Sequence, residues 1–299
     1  MHTHNRLPRT ASLRTLALAP LLLCLTGTAW GQFLGTSCSY GALGATTVTN
    51  TGNTVITGGI GVSPGSTITG FSAIDGGPGL FTGAANIGNA AAAQARLDAN
   101  TAYLTLAGLP FGADLTGQDL GGMFLLPGVY HFDSSAQLTG ALSLNTLGDP
   151  NARFVFQIGT TLTTSSDSLV SLLNVTPGVP CGPDAGIYWQ IGSSATLGTY
   201  TDFTGSILAL ESITLNTGAT IASGRALALT GAVTLDNNLI DASNLTGGFC
   251  IAATEGPGPG PITAVPEAST YGLIGSGLLA ALAWGRRRGL KASRLLRSS

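Results

Sequence analysis

The chain has 299 residues, of which 44 are glycine, 44% are hydrophobic and only 9% are charged. That mixture can bury a core and is unlike both a disordered segment and an ordinary helical enzyme. The net charge of −2 conceals an acidic middle: residues 32 to 264 hold three basic side chains (Arg96, Arg153 and Arg225), no lysine and thirteen carboxylates, a net of −10. Nucleic-acid binding needs clustered Lys and Arg to release counterions from phosphates, so a nucleic-acid partner is excluded for this region.

Residues 1–31 read as a secretory signal peptide. Arg6, Arg9 and Arg14 precede an apolar run from Leu16 to Leu25, and Ala29 and Gly31 place cleavage near Gly31. Cys24 lies inside the apolar run, and Leu21 to Leu23 lack the small residue that a lipoprotein signal places before its cysteine. Residues 32–254 form the exported domain. It keeps Cys38, Cys181 and Cys250, for which an oxidising compartment predicts one disulfide. Three pairings are open, and Cys181–Cys250, which ties a loop to the end of the domain, is favoured.

From Thr46 to Phe71, short strands at Thr46–Thr49, Thr54–Thr57 and Thr67–Thr69 alternate with Gly, Asn and Pro turns. Asn89 to Ala107 contains neither Gly nor Pro and carries Ala90, Ala93, Leu97, Thr101 and Leu104 at helical spacing. A helix of about five turns over 89–107 is predicted, stopped by Gly108 and Pro110. Strands then resume in groups: Phe154–Ile158, Thr160–Thr164 and Leu169–Leu173; Ile187–Ile191, Ala195–Thr199 and Ser206–Leu210; Ser212–Asn216, Ala219–Ser223 and Arg225–Leu229; and Ala232–Asp236 with Asn237–Asp241. Strands such as Phe154-Val155-Phe156 and Ile187-Tyr188-Trp189 are apolar on both sides and need cover on both.

One of these strands recurs. Ala136–Gly140, Thr160–Thr164, Ala195–Thr199, Ala219–Ser223 and Asn237–Asp241 can be superposed, each with an aliphatic residue between small polar ones. A strand repeated this way is the signature of a solenoid. Alternation then points Leu138, Leu162, Leu197, Ile221 and Leu239 inward and sets Gln137, Thr161, Thr196, Thr220 and Asn238 in an outward file. A second outward file reads Thr139, Thr163, Gly198, Ala222 and Ile240. The expected architecture is mainly β: a right-handed parallel β-solenoid of three-faced coils with one long helix alongside.

Residues 255–264 are a Gly/Pro linker. Residues 265–299 begin with Val265, Pro266 and Glu267, followed by an apolar stretch from Tyr271 to Trp284 and by Arg286, Arg287 and Arg288. This tail resembles the PEP-CTERM sorting signal, although Ala268 stands where the commonest form has a second proline. The resemblance implies an exosortase as processing partner, transient residence in the inner membrane through the apolar stretch, and delivery to the surface or exterior of a Gram-negative cell. Fourteen apolar and small residues are short for a full membrane span of about 20.

The domain itself resembles the microbial ice-binding protein family over roughly residues 34–245. The matching stretches include Thr47-Val48-Thr49-Asn50-Thr51-Gly52, Leu115-Thr116-Gly117-Gln118-Asp119-Leu120, Leu126-Pro127-Gly128-Val129-Tyr130, Trp189-Gln190-Ile191-Gly192 and Ser212-Ile213-Thr214-Leu215-Asn216. The resemblance implies a discontinuous β-solenoid with a packed helix and an ice surface as the partner, met by one flat face of small residues and threonines. The candidate contact residues are Gln137, Thr139, Thr161, Thr163, Thr196, Gly198, Thr220 and Asn238. The alternative on the same scaffold is a cell-surface or matrix adhesin that binds extracellular polysaccharide.

Catalysis needs positioned acids, bases or metals. The exported domain has one histidine, His131, and Asp114 and Asp119 flank a Thr-Gly turn as turn-formers do. No cysteine–histidine cluster has zinc spacing. No catalytic residue, metal site or cofactor is therefore expected.

Overall fold

The computed structural model describes residues 33–176 and 185–243; the segments expected to be a signal peptide and a linker, the expected Cys181–Cys250 pair and the sorting motif lie outside them. Among these described residues every strand pairs in parallel, and the strands form three sheets of nine, seven and eight members. One strand from each sheet makes a coil. Arg153–Ile158, Leu162–Thr164 and Leu169–Leu173 form one, and Gly186–Ile191, Ala195–Leu197 and Asp202–Thr204 the next. Ser206–Ala209, Ile213–Leu215 and Thr220–Ala222 follow, then Ala226–Ala228, Val233–Leu235 and Leu239–Asp241.

Chain order and spatial order part at that last coil. Tyr40–Gly44, Thr47–Asn50 and Val55–Thr57, the first strands in the chain, add to its three free edges. Gly59–Val62, Thr67–Thr69 and Leu80–Phe81 add beyond them, and Ala85–Ile87 ends the nine-stranded sheet. The chain must then reach the opposite edge strand, Ala113–Asp114. Eight strand spacings separate these edges, about 38 Å at 4.8 Å each. The helix Ala90–Ala107 supplies about 27 Å of that path, which fixes its course along this sheet.

Asn89 caps the helix by accepting the Ala92 N–H at 3.0 Å. Its buried side is Ala92, Ala95, Ala99, Ala102, Tyr103 and Leu106. The file Ala90, Ala93, Leu97, Thr101, Leu104 faces away, and Leu97 and Leu104 are 53% and 60% exposed. Steric fit decides this: the sheet presents Leu43, Val155, Tyr188, Leu208 and Leu227 to the helix, and alanines let the backbone come close enough to cover them. The strands apolar on both sides thus belong to the helix-covered sheet. Gln157 ties the helix end by donating to the carbonyls of Leu106 (2.7 Å) and Leu109 (2.8 Å). At the other side Asp98 accepts from the Thr36 N–H at 2.7 Å and the Thr36 hydroxyl at 2.6 Å.

Inside the solenoid, Tyr130, Phe156, Trp189 and Phe203 form a file of ring contacts with successive centroids 5.5, 3.9 and 4.8 Å apart. The Trp189 indole N–H donates to the Thr204 carbonyl at 3.0 Å, so its polar atom is satisfied. Arg225, fully buried, donates to the carbonyls of Cys38 (2.6 Å) and Ala242 (3.3 Å). It thereby joins the beginning of the domain to its end, where the inserted coil meets the last one.

Candidate functional site

Among the described residues no helix lies over the seven-stranded sheet. Its register sets Gln137, Thr163, Thr196, Thr214, Thr234, Thr49 and Thr69 side by side, one residue per rung. All seven side chains reach solvent to some degree, while their strand neighbours Leu162, Ala195, Ile213, Val233, Val48 and Ile68 are buried. Two residues earlier on the same side stand Thr161, Ser194, Ser212, Ala232, Thr47 and Thr67. The face is therefore two adjacent files of small residues, nearly all hydroxyl-bearing. Neighbouring rungs are about 4.8 Å apart and the two files about 6.7 Å apart.

In the flanking file two serines spend their hydroxyls inside the fold, while those of Thr161, Thr47 and Thr67 make no hydrogen bond among the described residues. Ser194 Oγ accepts the Ser212 N–H at 3.3 Å, and Ser212 Oγ accepts the Ala232 N–H at 3.2 Å, so these serines stitch one rung to the next. Glu211, at the corner before the face, accepts from Ser193 (3.0 Å) and Ser194 (3.4 Å). In the central file, the hydroxyls of Thr163, Thr196, Thr214, Thr234, Thr49 and Thr69 make no hydrogen bond among the described residues. They are free to bond water, and their methyl groups favour leaving it. No charged side chain stands in either file.

The structure brings some of the candidate residues together and separates others. Gln137, Thr163 and Thr196 share the central file, and Thr161 lies in the file beside it. Thr163, rather than Thr161, is the partner of Thr196, because the Leu162–Thr164 strand is set two residues from the expected frame. Thr139 is exposed at the downstream edge, with its hydroxyl 3.4 Å from that of Ser165. Gly198 is buried there: a Cβ would lie 2.6 Å from the backbone carbonyls of Thr164 and Ser165, so the rungs close up only because it is glycine.

Thr220 and Asn238 are not on this face. Thr220 pairs within the eight-stranded sheet, where its hydroxyl donates to Asp202 at 3.0 Å. Asn238 is 3% exposed and turns inward. Its amide donates to the carbonyls of Asn216 and Ala219, both at 2.9 Å, and its side-chain oxygen accepts the Asp236 N–H at 2.6 Å. The cause of both misplacements is Asp202–Thr204, a three-residue strand that follows a left-handed residue, Tyr200, and reads as a turn. Omitting it shifts every later strand by one sheet. The threonines that fill the vacated places, Thr214 and Thr234, sit in Ile213-Thr214-Leu215 and Val233-Thr234-Leu235. That apolar–Thr–apolar triplet is a sequence signal that would have found them.

The carboxylates and the histidine serve turns and edges. Asp119 accepts the N–H groups of Gly121 (2.7 Å) and Thr139 (2.9 Å) and so holds the edge rung of the face. Burial raises its pKa, but these hydrogen bonds outweigh burial and leave the carboxyl below its ordinary value. Asp114 is lowered by the Thr116 hydroxyl, at 2.6 Å, and then by the Thr116 N–H. His131 stacks on Phe111, with centroids 4.5 Å apart, and lies 2.9 Å from Asp133.

Comparison with known proteins places this geometry in context. The Ice-binding-like family matches residues 42–241, and the PEP-CTERM protein-sorting motif matches residues 264–288. An ice-binding protein of Nostoc sp. (strain HG1) is 50% identical over 258 residues, covering 86% of this chain and 87% of that one. Ice-binding protein K3-B1 of Typhula ishikariensis is 32% identical over 199 residues, or 60% of this chain and 78% of that one. Among solved structures, the ice-binding protein of the Antarctic ascomycete Antarctomyces psychrotrophicus superposes with a TM-score of 0.65 at 40% identity, covering 72% of this chain and 99% of that one.

Proposed function

The chain belongs to the ice-binding-like family, and from that premise we propose that it is an exported protein that adsorbs to ice through the seven-stranded face and restrains ice growth or recrystallisation. The observation that carries this reading is the central file, in which six threonines follow one another with no hydroxyl spent inside the described fold. A face built on a parallel ladder is rigid before it binds. Many weak contacts then add without the entropy cost of ordering the surface first.

The sorting motif supports processing by an exosortase at the inner membrane of a Gram-negative cell and delivery to its surface or exterior. The adhesin alternative draws no support from the comparisons, and neither file presents an aromatic ring on which a sugar could stack. Ice-affinity partitioning tests the proposal: a dilute solution of the labelled protein is frozen slowly and the ice is separated. Incorporation of the label into the ice at a concentration where serum albumin is excluded is the expected result. Exclusion of both proteins would refute it.

A further inference from the structure

Among the described residues six non-glycine residues adopt positive φ: Leu147, Asp167, Asn174, Tyr200, Ser223 and Asn237. Four of these are the short polar types that tolerate the left-handed region; an aromatic there is unusual and strained. Tyr200 (φ +56°) stands in the turn from the seven-stranded to the eight-stranded sheet, in a stacked ladder of equivalent corners. The Asp167 N–H donates to the Thr199 carbonyl, that of Tyr200 to Thr217, and that of Gly218 to Asp236, at 2.9, 3.0 and 3.1 Å. The Tyr200 ring lies over Gly218, where an added Cβ would meet its Cδ1 at 2.4 Å. Two positions are thus specialised to seat the Cδ1–Cε1 edge of one ring against the corner.

The backbone bond to Thr217 holds the turn, but among the described residues the Tyr200 side chain makes no hydrogen bond or ring–ring contact that offsets the strain. The side chain is 60% exposed, and its hydroxyl makes no hydrogen bond among the described residues. Leu147, the other large residue at positive φ, lies in the loop after Ala141–Asn145, a strand of the eight-stranded sheet, and away from the threonine files. Tyr200 borders them. On the Thr196 rung the next outward position is Gly198, which has no side chain, and Tyr200 is the first large group beyond it.

We propose that Tyr200 is a contact residue of the adsorbing face, its ring extending the apolar area past the downstream edge onto the corner over Gly218. The inference rests on the ice-adsorption reading. Strain retained at an exposed site is repaid by an external surface, so stability and activity should move apart when it is removed.

The test compares thermal hysteresis and Tm of the wild-type protein with those of Tyr200→Asn, Tyr200→Phe and Gly218→Ala. Asn suits the left-handed region, so Tyr200→Asn should raise Tm by about 2–4 °C while hysteresis falls. Gly218→Ala keeps the tyrosine but displaces its ring, and should lower both hysteresis and Tm. Tyr200→Phe should retain hysteresis, because the ring rather than the hydroxyl makes the contact. Two variants with opposite Tm shifts and the same loss of activity cannot be explained by a structural role. A Tyr200→Asn protein with wild-type hysteresis, or one with lowered Tm, overturns the inference alone; a folded wild type without hysteresis overturns it together with the reading beneath it.

Discussion

Replacing Thr196 by tyrosine tests the assignment of the face most sharply. Thr196 sits third of seven in the central file, between Thr163 and Thr214, and its strand neighbours Ala195 and Leu197 are buried, so the new side chain can only project outward. Seven rungs and two files make a footprint of about 29 by 6.7 Å, or roughly 190 Å². Were all of it apolar, its removal from water would be worth at most about 5 kcal/mol. A ring at Thr196 holds a flat partner off its own rung and off the two beside it, three of the seven, which removes roughly 2 kcal/mol or about 30-fold in affinity. The backbone ladder is untouched, so circular dichroism and Tm should stay near wild type. Thr220→Tyr is the control: Thr220 belongs to the eight-stranded sheet, and the same ring there should leave ice activity intact. The assay is the gap between freezing and melting points, read with crystal shape. Equal losses in both variants, or no loss at Thr196, would refute the argument.

Other outcomes follow from the same geometry. Asn238→Ala strands the carbonyls of Asn216 and Ala219 and the Asp236 N–H in a buried corner, and should cost about 2–4 kcal/mol in denaturant unfolding. Gly198→Ala forces a Cβ against the Thr164 and Ser165 carbonyls; a loss of about 1–3 kcal/mol, measured the same way, is expected together with weaker ice activity as the rungs part. Acid should weaken the fold through carboxyls whose folded pKa is lowered: Asp75 by the N–H groups of Gly70, Gly77 and Phe71; Asp98, despite burial, by Thr36 and Gln94; and Asp119, despite burial, by Gly121 and Thr139. A lowered folded pKa stabilises above the unfolded value and is lost as pH falls through the folded one. Unfolding midpoints should therefore be level from neutral pH to about 5 and decline below about 4.

The solenoid was legible because a parallel strand buried on one face writes a period of two with small polar residues outward, and Ala136–Leu138, Leu162–Thr164 and Ala195–Leu197 do so plainly. The helix was legible from the absence of Gly and Pro. Its orientation was not: periodicity shows that Leu97 and Leu104 share a side, but whether leucines or alanines meet the sheet depends on the bulk of Tyr188, Leu208 and Leu227, which only the assembled fold reveals. Register failed at Asp202–Thr204 because Asp-Phe-Thr after a left-handed tyrosine carries no strand pattern. A single missed strand moved Thr220 and Asn238 onto the wrong face and hid Thr214 and Thr234. The contribution of Thr47–Asn50 and Thr67–Thr69 to the same face could not be read from order in the chain, since these strands join it across the discontinuity between first and last coils.

The central claim is that this folded domain engages ice, and the freezing–melting gap of the purified protein, recorded beside its circular-dichroism spectrum and with single ice crystals in view, tests it most directly. The account predicts a strand-rich spectrum, a measurable gap and faceted crystals. A strand-rich, folded protein that freezes at its melting point and leaves crystals as rounded discs would contradict it.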